Sequence, residues 1–238
     1  MGVTGSTVTN FDAWAGQYDH SPLQPSLYLP VHQSTLRLAG RLVPHPRRIL
    51  DVGCGTARLL RQARRQYPGA ELVGVDPAWQ MVAIARSGTS PGLQIGYVQG
   101  AVERLPFVCE GFDLVVATLS FRHWTDPKAG IGQLARVLAP GGLLVLADVF
   151  SSCRHRVGGI RLRWRRRLPV PAQLAPVLVA YELTVIAHDH TRWFALPDVL
   201  VIAAQKPAWQ DRGTGPLAAA KPEATRETTI LTSPTSDR

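Results

Sequence analysis

Residues Arg48–Val52 (RILDV) make a short apolar run that ends in Gly53-Cys54-Gly55 and passes straight into a helical pattern, with Leu59, Leu60 and Ala63 on one face. This strand–glycine turn–helix join constrains the fold more than any other feature, because the same alternation then repeats along the chain. Residues 71–75 (ELVGV) read as the second strand, and Asp76-Pro77 opens a helix carrying Met81, Val82, Ile84 and Ala85, with Pro77 just inside its start. A third strand fits residues 93–98, a fourth fits Phe112–Thr118, and a helix over 129–138 stops at Pro140-Gly141-Gly142 before a fifth strand at 143–150. Thr56 is placed to cap the first of these helices. Strand and helix in repetition predict an α/β fold, a parallel sheet with helices on both faces. Residues 183–190 and 199–205 follow each other too closely for a parallel crossover, so they are expected to pair antiparallel.

Composition narrows the class. The chain has 238 residues, 45% of them hydrophobic and 18% charged, enough apolar matter for one buried core of ordinary enzyme size. No stretch approaches the ~18 uninterrupted apolar residues of a membrane span. Met1 to Asn10 lacks the basic patch and apolar run of a secretory signal, and Cys54, Cys109 and Cys153 lie far apart with no metal-ligand spacing. A cytoplasmic protein with neither disulfide nor metal site is the expectation. Net charge is +9, yet seven arginines fall between Arg154 and Arg167, and without them 19 basic residues face 17 acidic ones. The basic character is one segment, inserted at 151–181. After Pro207 the composition turns to Pro, Thr, Ser and Ala, and residues 208–238 are expected to be a disordered tail.

The glycine turn carries the chemistry. Glycines at the carboxyl end of a strand let a ligand approach the main chain, and the following helix N-terminus suits a carboxylate or phosphate. Asp76, ending the second strand, places a carboxylate where it accepts from both hydroxyls of a ribose. The pair points to a nucleoside-containing cofactor. Arg58 stands where a dinucleotide fingerprint needs its third glycine, which weakens an NAD or FAD reading, and no Gly-Lys-Ser/Thr follows to make a P-loop.

The segments ILDVGCGTARLL, VGVDPAWQMVAIA, GAVERLPF, FDLVVATLSFRHWTD and RVLAPGGLLVLADVF resemble, in order, the motifs of class I S-adenosylmethionine-dependent methyltransferases. The subgroup is that of the ubiquinone/menaquinone-biosynthesis-type enzymes, the methyltransferase type 11 domain. The resemblance runs from about Phe11 to Pro207. It implies a Rossmann-like sheet of seven strands with the last antiparallel, S-adenosylmethionine as cofactor, and O- or C-methylation of a small-molecule or lipid-like acceptor. Position by position, it implies that Gly53, Cys54 and Gly55 pass their backbone beside the methionine part, with Asp51 at its amino group. Asp76 holds the ribose, Pro77 and Met81 pack near the adenine, Ala101 and Val102 lie at the adenine edge, and Thr118 faces the sulfonium. FDAWAGQYD resembles the family's N-terminal segment, with Tyr18 closing over the cofactor and residues 1–45 forming a helical lid.

The departures from the pattern are specific. Ala57 replaces a third glycine, and Ala101 replaces the acidic residue that would accept from the adenine amino group, a loss of about 0.5–1.5 kcal/mol. Arg122 replaces the first histidine of a His-His pair and Tyr181 a glycine. These keep open a cofactor-binding protein without transfer activity. His123 is the candidate general base, or else a histidine that caps a loop. Phe11, Trp14, Tyr18 and Tyr28 form a lid over the acceptor or simply dock an N-terminal helix. The segment from Arg154 to Arg167 is a solvated basic helix or a face for an anionic acceptor, an acidic carrier or an anionic lipid surface. A third reading makes it the RNA clamp of an RNA methyltransferase, although one short stripe in a near-neutral domain is a poor nucleic-acid signature.

Overall fold

The computed structural model describes residues 4–149, 156–157, 160–161, 171–193 and 196–209. Two N-terminal helices, α1 (Thr4–Tyr18) and α2 (Leu29–Leu42), flank a π-helical turn at Gln24–Tyr28. The chain then alternates β1 (Arg48–Val52), α3 (Arg58–Gln66), β2 (Glu71–Asp76), α4 (Trp79–Ser87), β3 (Ile95–Gln99), β4 (Phe112–Thr118), α5 (Pro127–Val137) and β5 (Leu138–Asp148). A short pair, β6 (Arg156–Val157) and β7 (Ile160–Arg161), precedes α6 (Pro171–Ala180) and the closing strands β8 (Thr184–Trp193) and β9 (Leu196–Gln205).

The main sheet has seven strands in the order β3-β2-β1-β4-β5-β9-β8. Strands β1 to β5 pair parallel, and β9 runs antiparallel to both β5 and β8. The expected α/β architecture with an antiparallel closing pair is therefore present. Its side chains divide by the period of two: Ile49, Leu114, Val116, Leu143 and Val145 face α2, α3 and α4, while Leu50, Val115, Ala117, Leu144 and Leu146 face α5 and α6. Both faces are covered, which is why these strands read as continuous apolar runs rather than alternating ones. The chain leaves β1 outward through β2 and β3, then returns to place β4 on the other side of β1. That reversal opens a crevice at the carboxyl ends of β1 and β4.

Local details differ from the sequence expectations. Thr56 does not cap α3. The helix starts after Ala57, which adopts the left-handed conformation at φ 65°, and Thr56 Oγ1 donates to Asp19 at 2.7 Å. Pro77 lies ahead of α4, which starts at Trp79; the free Gln80 N–H donates to Asp12 Oδ1 of α1 at 2.9 Å. Helix α5 starts at Pro127 because Asp126 caps it, its side chain accepting from Ala129 N at 3.0 Å. The Pro140-Gly141-Gly142 segment lies within β5, with Gly141 at φ +76° bonded to the end of β9 and a register shift against β4. The closing strands are ten residues each, longer than expected. Of the arginine-rich segment, Arg156–Val157 and Ile160–Arg161 pair as strands, not as a helix; its other residues and those of the tail from 210 lie outside the described residues.

Gly74 of β2 shows how tightly this layer is packed. A Cβ there would stand 2.8 Å from both Cys54 Sγ and Leu60 Cδ1. Overpacking of this kind costs about 1–3 kcal/mol. Gly74→Ala is expected to lower unfolding free energy in urea by that amount, and Cys54→Ala in the same chain to restore part of it; a Gly74→Ala chain as stable as the parent would contradict the packing described.

Candidate functional site

The loop after β1 is built by backbone bonds before any ligand enters. Gly53 N and Cys54 N both donate to Val75 O of β2, at 2.8 and 3.1 Å. Gly53 has φ +76°, and a Cβ on it would lie 2.5 Å from Ser120 Cβ, so Gly53 is required first by the loop after β4. Ser120 Oγ in turn donates to Val52 O at 3.0 Å.

Two carboxylates are buried beside this loop. Asp76 Oδ2 accepts from Gly55 N at 2.8 Å and Oδ1 from Ala78 N at 2.9 Å, tying the glycine loop to the turn before α4. Burial raises its pKa to about 6, against the pull of those two backbone bonds. Asp51, next to Gly74 on β2 and Val116 on β4, is 1% exposed, and neither of its oxygens has a hydrogen-bond partner among the described residues. Burial, with the charge of Asp76 adding to it, pushes its pKa up to about 8. Burial also pushes up the Cys54 thiol, an environment opposite to that of a nucleophilic thiolate.

A cavity of about 200 Å³ opens above this floor at the carboxyl ends of the strands. Of the residues named from the sequence, Gly53, Gly55, Asp76, Pro77, Met81, Ala101, Val102, Thr118, Tyr18 and His123 line it. Asp51 and Cys54 do not; they line a smaller cavity of about 20 Å³ behind the loop, which shares Tyr18, Gly53 and Thr118 with the larger one. Phe11, Tyr18 and Tyr28 cover the large cavity, and Trp14 lies outside it, its ring 5.0 Å from that of Tyr18. Burial raises the Tyr18 phenol well above its ordinary range, so it stays protonated.

Sequence reasoning missed Leu119, Ser120, Glu103 and Trp124 in the wall, and His32 and Arg58 in the small cavity. Leu119 has φ +54°, a conformation that no pattern of apolar residues signals. Glu103 follows Ala101 by two, but its Oε1 accepts from Thr125 N at 2.7 Å and Asp126 N at 3.3 Å, so it holds a loop. His32 reads as an ordinary polar position of α2; burial and the nearby Arg58 charge lower its pKa to about 3.

Arg122 has a structural partner that explains its presence. Asp148, at the end of β5 and fully buried, accepts from Arg122 Nη1 at 2.8 Å and from Arg122 N at 3.1 Å. Arg122 Nε donates to His123 Nε2 at 3.1 Å, which assigns the His123 proton to Nδ1. The lone pair that a general base would use at Nε2 is thereby engaged, and the ring meets Phe11 of the cover edge-on at 4.9 Å.

A family described as methyltransferase domain matches residues 49–142, the span from β1 to the middle of β5 that supplies the floor and both carboxylates. Residues 49–142 thus match a methyltransferase domain, set within a seven-stranded Rossmann-like sheet. A demethylmenaquinone methyltransferase of Thermus thermophilus is 41% identical over 126 residues, covering 52% of this chain and 57% of the relative. One of Deinococcus radiodurans is 35% identical over 133 residues, 55% of each. The chain thus spans about half the length of the curated relatives it matches. Among solved structures, the cyclase SpnF superposes with a TM-score of 0.62 at 22% identity, over 74% of this chain and 82% of that one, a likeness of fold alone. No helix among the described residues of this methyltransferase-domain chain is long and apolar enough to cross a membrane.

The buried carboxylates set a pH dependence. The unfolded chain releases the Asp51 proton near 3.8, whereas the folded chain keeps it to about 8. Folded protein therefore binds more protons between those values, and Asp51 makes ligand-free stability fall as pH rises through that window. His32 acts oppositely, adding stability as pH rises from about 3 to 6.5. Asp51→Asn is expected to raise the melting temperature of ligand-free protein by about 5 °C at pH 8 and by less at pH 5; a shift equal at both values would remove the linkage.

Proposed function

We propose that the protein transfers the methyl group of S-adenosylmethionine to a small or lipid-like acceptor bearing an acidic oxygen, at that oxygen or at an adjacent ring carbon. One observation carries the reading. Two buried carboxylates, one with no partner at all, stand at the ends of adjacent strands beside a glycine turn and under an apolar-walled cavity. An orphaned buried carboxylate suits a ligand amino group, and a second one at the next strand end suits paired hydroxyls. The names of the two relatives support a quinol-type acceptor.

In this reading Asp51 takes the amino group and Asp76 the ribose, with the Gly53, Cys54 and Gly55 backbone beside the amino-acid part. Pro77, Met81, Ala101 and Val102 bound the adenine side, and Thr118 and Tyr18 the sulfonium side. When bound, S-adenosylmethionine supplies an electrophilic methyl group, so the protein's tasks are alignment and exclusion of water. The cover of Phe11, Tyr18 and Tyr28 excludes water. The Asp148–Arg122–His123 chain fixes the imidazole as a neutral ring with its N–H at Nδ1. His123 then orients an acceptor oxygen as a donor, and acts as a base only after leaving Arg122. The same contact supports a second reading, cofactor binding without transfer.

Incubation with methyl-labelled S-adenosylmethionine and reduced naphthoquinols or simple phenols tests the choice. Label in an extractable product is expected; binding of the cofactor with no labelled product across such acceptors would favour the second reading. For His123, the Ala variant is expected to lose about tenfold in kcat and the Gln variant, which keeps a donor, to retain at least threefold more than Ala. Losses of about 10²-fold or more in both would assign a base instead.

A further inference from the structure

The small cavity holding Asp51 points beyond placement of an amino group. We propose that Asp51 recognises the ligand's ammonium by exchanging its own proton for it, so that this domain takes up an amino-bearing nucleoside with release of one proton and a nucleoside without the amino group with none. The inference rests on the cofactor reading above.

Among the described residues, nothing else offers Asp51 a means of carrying charge. Its carboxyl group is fully buried at the centre of the sheet and neither oxygen accepts a hydrogen bond. A carboxylate so placed is neutral unless a cation arrives. Of the described residues packed around it, none supplies that cation. Tyr18 of α1 and Cys54 of the loop are neutral, and so is His32 of α2 at any pH above about 3. Asp76 at the end of β2 opposes ionisation of Asp51, and the Tyr97 phenol of β3, also raised by burial, adds no positive charge. Arg58 at the start of α3 lines the cavity but stands 3.6 Å from Asp19, already engaged with a carboxylate. The space that remains, about 20 Å³, has room for one group the size of water or ammonium, and it shares Tyr18, Gly53 and Thr118 with the lining of the large cavity.

The step balances simply. A neutral Asp51 carboxylic acid and a ligand ammonium form a carboxylate–ammonium pair, and the carboxyl proton leaves to solvent. No such exchange accompanies a thioether nucleoside that ends before the amino acid. Discrimination between the two ligands therefore grows with pH, by up to tenfold per unit, until Asp51 ionises unaided near pH 8.

Calorimetric titration of the full chain at pH 7, in three buffers of different ionisation enthalpy, measures the protons released. S-adenosylhomocysteine is expected to release about 0.9 proton per site and 5′-methylthioadenosine close to none. Asp51→Asn should bind S-adenosylhomocysteine at least tenfold more weakly, without proton release, and 5′-methylthioadenosine within about twofold of the parent. The parent protein alone decides the matter if that variant fails to fold. Tight binding of S-adenosylhomocysteine with no proton released overturns the exchange and leaves the cofactor reading standing. Equal release by both ligands places the proton on the ribose side and also overturns it. Binding of neither ligand by folded protein overturns the cofactor reading with it.

Discussion

The site depends on one pair of contacts between neighbouring strands. Val75 O of β2 accepts from Gly53 N and Cys54 N, and Asp76 Oδ2 accepts from Gly55 N. Because β1 and β2 are parallel and in register from Arg48↔Glu71 to Val52↔Val75, their ends arrive together, and the loop of one is shaped by the end of the other. The glycines permit the left-handed torsions, but the second strand dictates them. A slip of β1 by one residue would turn Asp51 away from the face that Asp76 shares and separate the loop from its acceptor.

That dependence explains what could be read from the sequence. Strands buried on both faces are continuous apolar runs, so β1, β2 and β4 stand out, and helices between them leave a parallel sheet as the natural arrangement. Ten of the twelve residues named in advance line the large cavity, because a motif at a strand end inherits its position from the sheet. The failures have a common cause. Thr56 and Pro77 have the chemistry of helix starts, yet Thr56 gives its hydroxyl to Asp19, just beyond α1, and the Gln80 N–H of α4 goes to Asp12 of α1. The orphaned state of Asp51, the engagement of His123 Nε2 and the left-handed Leu119 are tertiary facts with no local signature.

Arg122 illustrates the gap most clearly. Compared with a pattern, it is a substitution for histidine. In the fold it is the counter-charge of Asp148, a carboxylate with no exposure at the end of β5. Removing one partner of a buried pair strands the other, commonly at about 3–5 kcal/mol, so Arg122 is bound to the stability of this wall of the cavity as well as to the tautomer of His123. A residue that departs from a motif can thus be held in place by a constraint one helix and one strand further along the chain.

The bond from Gln80 N to Asp12 has a consequence for motion. Helix α4 has no side chain of its own at the cap and borrows one from the helix that covers the cavity. Ala15 of that cover packs with Ala78 and Met81 at the same junction. Raising α1 to admit a ligand therefore frays the first turn of α4, at a cost of about 1 kcal/mol for the cap alone. The roof and the wall at Ala78–Met81 are thus coupled through one hydrogen bond and one apolar contact.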